Sequence, residues 1–401
     1  MDKVETLDTL QITPRLAKST SWFLWTGILG ILLCGFSYYQ NSQSFFVSYL
    51  TAFSFFLAIA LGALFFVMVQ HLSRAGWSTT VRRTAENLSK NLVVMGILFL
   101  PLLLGISDIF HWSHADVRAT DHLIRAKSAY LNLPFFLIRT AIYFIVWAVL
   151  GWWFLKTSRL QDETKDPLLS IKMSNRSTIG LILFGLTSTF YAIDWIMSID
   201  AHWFSTMFGV YFFAGAVVAF YCTLILVLTW LKSTGHIQKS VSTEHYHDMG
   251  KLLFGHNIFW TYIGFSQFML IWYANIPEET LFFLHRSEGA WKTISLMLPW
   301  CHFAVPFLFL MSHNVKRKPW LLSIGAAWLL IMCYIDIYWL IQPYFYHHGP
   351  HFGLSDIGAI LTVGSFFLFF LVHTMSQASL IPIGDPRLKA SLSYDNGIPK
   401  K

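Results

Sequence analysis

The sequence predicts an all-α integral membrane protein with ten transmembrane helices, and three observations lead there. Of its 401 residues, 55% are hydrophobic and only 12% are charged, about half of the roughly 25% charged share of a soluble domain. Mean hydropathy is +0.53. Uncharged apolar runs of about 18 residues or more recur along the chain, each long enough to cross a bilayer as a helix. Backbone groups inside lipid must be satisfied within their own segment, so runs of this length form helices. A water-soluble globular enzyme and a disordered chain are both excluded.

Ten runs follow in order: Trp22–Tyr38, Phe45–Val69, Leu92–Phe110, Leu133–Leu155, Ile179–Met197, Met207–Leu231, Leu252–Ala274, Ile294–Met311, Trp320–Ile341 and Leu354–Val372. With these crossings, the first tail, alternate loops and the last tail carry 22 of the 28 Lys and Arg residues. The loops on the opposite side carry 5, and Arg139 lies inside the fourth run. An asymmetry of this size marks the basic side as cytoplasmic. Both termini are therefore expected in the cytoplasm, which agrees with an even number of crossings. The N-terminal stretch, residues 1–21, mixes both signs of charge and reads as a retained cytoplasmic tail, and residues 373–401 as a cytoplasmic C-tail. The net charge of +7 follows this placement, and no nucleic-acid partner is expected.

The loops are short. Between the third and fourth runs, the stretch DIFHWSHADVRATDHLIRAKSAYLN lacks Gly and Pro and is predicted to form an amphipathic helix on the outer surface. No loop approaches the size of a soluble domain, so aqueous chemistry is expected from partner chains. Cys34, Cys222, Cys301 and Cys333 all fall inside apolar runs, with no CxxC or CxxCH. Covalent c-type haem, cysteine-ligated clusters and structural zinc therefore lack a ligand set.

A faint internal repeat is visible. Tyr191-Ala-Ile-Asp194 near the end of the fifth run echoes Tyr334-Ile-Asp336 near the end of the ninth, and Leu133-Pro134 echoes Leu298-Pro299. This pattern predicts two four-helix bundles, residues 45–197 and 207–341, flanked by the first and last helices.

Ionisable residues inside hydrocarbon are costly and mark candidate sites. Arg139 lies six residues into its run from the outer side, at a depth of about 9 Å; Asp194 and Asp336 lie at about 5 and 8 Å. Asp108 ends the third run. These four are predicted to gather in the outer third of the membrane. Two roles fit them: a proton-accepting or quinol-facing site tuned by burial and pairing, or a structural Arg139–Asp194 pair tying adjacent helices together. On the inner side, His71, His256, His313 and His373 lie near run ends, and His302 lies nearer mid-membrane. Histidines there relay protons, bond neighbouring helices or ligate a b-type haem, for which His256 and His373 are at matched depth. The outer histidines, His347-His348-Gly-Pro-His351 among them, suit a docking surface for periplasmic partners.

Three stretches carry a resemblance: KSAYLNLPFFLIR (Lys127 to Arg139), IDWIMSIDAHWFSTMFGVYFFAG (Ile193 to Gly215) and GKLLFGHNIFWTYIGFSQFMLIWYANIPEET (Gly250 to Thr280). With ten crossings and two inside termini, these resemble the F-type membrane subunits of bacterial alternative complex III, a quinol:cytochrome c oxidoreductase. Those subunits are related to the membrane subunits of polysulfide and nitrite reductases. The resemblance implies two four-helix bundles and a subunit without a redox centre of its own, a scaffold with a proton path. It implies as partners an iron–sulfur subunit, multihaem c-type cytochromes, a sister membrane subunit that is the main quinol site, and an aa3-type oxidase. A quinone and lipids are the expected non-covalent ligands, and the bacterial inner membrane the expected location. Asp108, Arg139, Asp194 and Asp336 are the polar positions it matches, with His302 and His256 as further proton-path candidates. One departure is Gly255-His256-Asn257, where the resemblance leads one to expect mostly apolar residues. Two other classes remain as alternatives: a secondary transporter, for which Gly/Pro-broken spans in matching positions are the usual signature, and a b-haem membrane cytochrome.

Overall fold

The computed structural model describes residues 8–347 and 349–395, with residues 15 and 19 described by backbone only. Among the described residues 80% are helical and none forms a strand, so the chain is an all-α membrane protein. The long helices are α1 (Trp22–Gln40), α2 (Ser42–Leu72), α3 (Thr79–Ile109), α4 (Leu133–Thr164), α5 (Leu168–Trp195), α6 (Phe208–Ser233), α7 (Thr243–Ala274), α8 (Trp291–Met311), α9 (Pro319–Ile341) and α10 (Leu354–Met375). Nine of the ten are both long and apolar enough to span a bilayer; α7 is the exception. Its 32 residues exceed the about 20 needed to cross. Its first two turns and its interior carry Glu244, His245, His247, Asp248, His256, Asn257 and Gln267, which lower its hydropathy. Among the described residues the predicted count of ten thus becomes nine by apolarity, plus one long helix of lower hydropathy.

α2 and α6 form the centre of the molecule. Both are buried along most of their length and pack against one another. At Gly62 the backbones of α2 and α6 come so close that a Cβ would overlap the carbonyl of Ala216, so only glycine fits there. Around α2 lie α3 and α5, with α4 against α3 and α5; around α6 lie α7 and α9, and α8 packs on α7 and α9. α1 packs chiefly on α10, and α10 also contacts α2.

Helix ends have local causes. Asn41 caps α2 by accepting from the Ser44 amide at 3.0 Å, and Asn132 caps α4 by accepting from the Phe135 amide at 3.0 Å, each satisfying an orphan first-turn donor. Pro101 coincides with a 3-10 segment in α3, and Pro299 with a π segment, Leu298–Ala304, in α8. Proline removes a backbone donor, and the helix re-forms around the gap.

Two predictions are corrected. The third helix begins at Thr79 and not at Leu92, because the polar stretch Thr79–Lys90 is buried in protein and not left to solvent. The outer loop is not one amphipathic helix. It breaks into a short 3-10 turn and two short helices, Ala115–Thr120 and His122–Ala126. Asp121 interrupts it by turning its side chain onto the amides of Leu123 and Ile124, at 2.9 and 3.1 Å, and so starts a new helix. Predicted His348 lies outside the described residues.

The first and last described segments meet on one face, here the terminal face: the Leu380 amide donates to the Leu10 carbonyl at 2.7 Å. Residues 376–395 are more than a tail. The Gly384 amide donates to Asp162 on α4 at 3.0 Å, Ser391 bonds Thr80 on α3 and His245 on α7, and the Tyr394 hydroxyl donates to Asp248 on α7 at 2.5 Å. This strap ties α3 and α4 to α7.

Candidate functional site

Two carboxylates are buried within helices towards the distal face, opposite the terminal face; a third, Asp356, is used at the start of α10, where it accepts from the Gly353 amide at 2.9 Å. The first is Asp194 on α5. Arg139 on α4 grips it with two bonds, Nε to Oδ2 at 2.8 Å and a terminal nitrogen to Oδ1 at 3.0 Å, and the Tyr143 hydroxyl donates to Oδ2 at 2.7 Å. The fork of the guanidinium matches the carboxylate, giving a bidentate, charge-assisted contact. Arg139 also donates to the Tyr130 carbonyl at 3.0 Å, and its guanidinium lies 3.8 and 4.3 Å from the ring centres of Tyr130 and Phe135. The next residue, Trp195, donates to Thr140 at 2.9 Å, which sets the rotation of α5 against α4.

The second is Asp336 on α9. The Tyr211 hydroxyl of α6 donates to Oδ1 at 2.5 Å, and the Trp260 indole N–H of α7 donates to Oδ2 at 3.1 Å. No cation is bonded to it among the described residues. Its carboxylate borders a cavity of about 10 Å³ at the α2–α6–α9 junction, lined also by Ala58, Gly215 and Cys333, room for a single water.

His302 is also fully buried, on the π segment of α8. Its ring lies 3.7 Å, centre to centre, from that of Trp260, its Nε2 lies 3.7 Å from Cys333 Sγ, and its Nδ1 has no hydrogen-bond partner. Asn257 on α7 donates to the His302 carbonyl at 3.0 Å, and the Trp328 indole of α9 to the Cys301 carbonyl at 2.7 Å. These side chains take up carbonyls around the π turn. Asp336, Trp260 and His302 therefore form one continuous polar patch inside the α6–α9 bundle.

The four predicted residues do not gather. Arg139 and Asp194 pair within the first bundle, and Asp336 lies in the second. Asp108 stays apart: half-buried near the end of α3, it offers its backbone carbonyl to Gln43 at 3.2 Å. Residues on different helices share a depth without sharing a site. His256 bonds the Leu252 carbonyl of its own helix at 2.8 Å, and its ring packs near Tyr221. His373 is exposed at the end of α10 beside Gln377.

Sequence reasoning missed the neutral donors. Tyr143 is four residues after Arg139, on the same helical face, so its part was readable. Tyr211 and Trp260 come from other helices and left no signal except that a buried Trp N–H or Tyr O–H needs a partner. Also missed was the buried Arg286 of the short helix Pro277–Ser287. It donates to the carbonyls of Trp339, Phe282 and Leu340 at 3.1, 2.8 and 2.8 Å, tying that helix to the end of α9.

No protein-family model and no curated protein matches this chain. Fold and site define a polytopic α-helical membrane protein in which, of the carboxylates Asp194 and Asp336, one is met by a cation and the other by neutral donors.

Proposed function

We propose that this chain is an integral membrane subunit of a quinol:cytochrome c oxidoreductase of the alternative complex III type, acting as scaffold and as part of a proton path. One observation carries the reading. The three stretches that resemble that family supply Asp194 and most of the partners of the two carboxylates, while Asp336 and Tyr143 lie outside them. Lys127 to Arg139 supplies Tyr130, Phe135 and Arg139; Ile193 to Gly215 supplies Asp194 and Tyr211; Gly250 to Thr280 supplies Asn257 and Trp260. Asp336, bonded by neutral donors beside a water-sized cavity, is the proton-exchanging candidate. Arg139 and Asp194 act as a structural clamp. Quinol oxidation falls to the sister membrane subunit, and electrons pass to an iron–sulfur subunit and multihaem cytochromes c, with an aa3-type oxidase beyond. The alternation of Lys and Arg supports an orientation with both termini cytoplasmic, and the bacterial inner membrane is the location that this family reading implies. A transporter reading lacks support: the 3-10 break lies in α3, second of its bundle, and the π break in α8, third of its own, not in matching positions.

The test is affinity purification of the tagged chain from its native membranes. Haem-stained multihaem cytochromes and an iron–sulfur protein should co-purify in fixed ratio, and Asp336→Asn should keep that assembly while lowering proton translocation per quinol oxidised. Purification without any haem protein would overturn the assignment. Normal translocation by the Asp336→Asn complex would remove the proton role alone.

A further inference from the structure

We propose that the junction of α3, α4 and α10 on the terminal face binds the phosphate of an anionic phospholipid through Lys90, Lys156 and Arg159. The inference does not depend on the respiratory reading. Six cations and three acids meet at this corner, and the acids are already matched. Glu86 accepts from Arg82 at 3.1 Å and from Arg83 at 3.0 Å. Asp162 accepts from Arg83 at 2.7 Å, and Asp385 from Arg82 and Arg387. Three positive charges are left over.

All three lie where α3 and α4 run side by side, with Gly151 against Ser89 and Arg159 beside Asn87. Arg159 on α4 donates only to neutral groups, the Gln377 side chain at 3.2 Å, the Asn87 side chain at 3.4 Å and the Thr374 carbonyl at 2.6 Å, and its buried Nε has no acceptor. Lys90, at the end of the polar part of α3, is half-buried where Gly151 of α4 comes against the Ser89–Lys90 backbone, and its amine is bonded to no acceptor among the described residues. Lys156 is three residues before Arg159, hence on the same side of α4. It is exposed, with its amine 4.6 Å from the Trp152 ring.

Their depth points to lipid. The apolar runs of α3, α4 and α10 begin or end at Leu92, Leu155 and Val372, within a few residues of all three cations. The charges therefore stand at headgroup level, above an exposed apolar face of α4 that includes Val149 and Trp152. A soluble anion needs no such face, whereas a phospholipid places its phosphate on the cations and its chains along the face. Basic pockets between helices at this level favour acidic headgroups.

The test uses the full chain in detergent, with lipid retention read by native mass spectrometry as phosphatidylglycerol or phosphatidylcholine is titrated in. Phosphatidylglycerol should be retained preferentially. Each cation removed should weaken it about fivefold, so Lys156→Gln about fivefold and the Lys90→Gln, Arg159→Gln double variant about twenty-five-fold. Lys172→Gln, an exposed cation of α5, should change nothing. If the double variant fails to fold, the exposed Lys156→Gln change still decides the matter. Equal retention of both lipids, an unchanged Lys156→Gln, an equal loss in Lys172→Gln, or displacement by inorganic phosphate as effective as the lipid would each overturn the proposal.

Discussion

Asp194 and Asp336 stand on corresponding helices, the last of each bundle, and both are buried, yet they are satisfied in opposite ways. Asp194 meets a bidentate guanidinium and a phenol from the neighbouring α4. Asp336 meets a phenol from α6 and an indole from α7, and no cation. α8, the counterpart of α4, carries no arginine; its π turn puts His302 against Trp260 instead. An ion pair in low dielectric holds two helices but locks its charge. A carboxylate held by neutral donors has no fixed countercharge and is freer to change protonation state. The difference separates a clamp from a candidate proton carrier.

Three experiments break or sharpen this contrast. The largest effect is expected at the clamp. Arg139→Gln or Asp194→Asn strands the other charge and should cost roughly 3–5 kcal/mol, with the double change recovering part of it. Thermal unfolding of the detergent-solubilised chain measures this, and single variants as stable as the parent would remove the clamp.

A somewhat smaller loss is expected at the strap, where a carboxylate is met by two cations outside the membrane. Asp385→Asn leaves Arg82 with Glu86 and frees Arg387, so about 3 kcal/mol is expected, at the low end for a broken buried pair. Burial alone would raise the Asp385 carboxyl, but Arg82 and Arg387 outweigh it and hold it well below the usual carboxylate range. A lowered folded value means that this stabilisation is complete above the unfolded value, about 3.9, and is lost as pH falls below it towards the folded value. Protease cleavage within residues 376–395 should therefore accelerate only below about pH 4. Cleavage rates independent of pH would show that the pair does not hold the strap.

The smallest effect is expected for Asp336→Asn. It keeps an acceptor for only one of Tyr211 and Trp260 and should cost about 1–3 kcal/mol for the donor left unpaired, whereas Asp336→Leu leaves both donors unpaired and should cost more than Asp336→Asn. Asp336→Asn as costly as Arg139→Gln would erase the contrast between the two sites.

Much of the helical plan was readable in advance. The runs ending at Leu155 and Val372 lie within α4 and α10, and Arg139 and Asp194, which the repeat and the depths singled out, do pair. The polar half of α3 was not readable. Arg82, Arg83 and Glu86 look like a solvated connector along the chain, and only the fold buries them, between His71 of α2, Asp162 of α4 and the strap's Asp385 some three hundred residues later. The predicted single cluster failed for a related reason: equal depth says how far a residue lies from the surface, not which way its helix turns. His302 shows the same limit, because its neighbour Trp260 is fixed by the π turn of α8 and by the rotation of α7.

By itself the sequence determined the solvent, the helices and the positions at which charges enter the apolar layer. Hydropathy and length are local sums, and water and lipid act on them segment by segment. The tertiary structure decided which carboxylate received a cation, which received a phenol and an indole, and which cations at the terminal face were left without acids. Those outcomes depend on helix rotation and register, which are set jointly by close packing between α2 and α6, by breaks at Pro101 and Pro299, and by contacts between residues far apart in the chain. No local sum contains them.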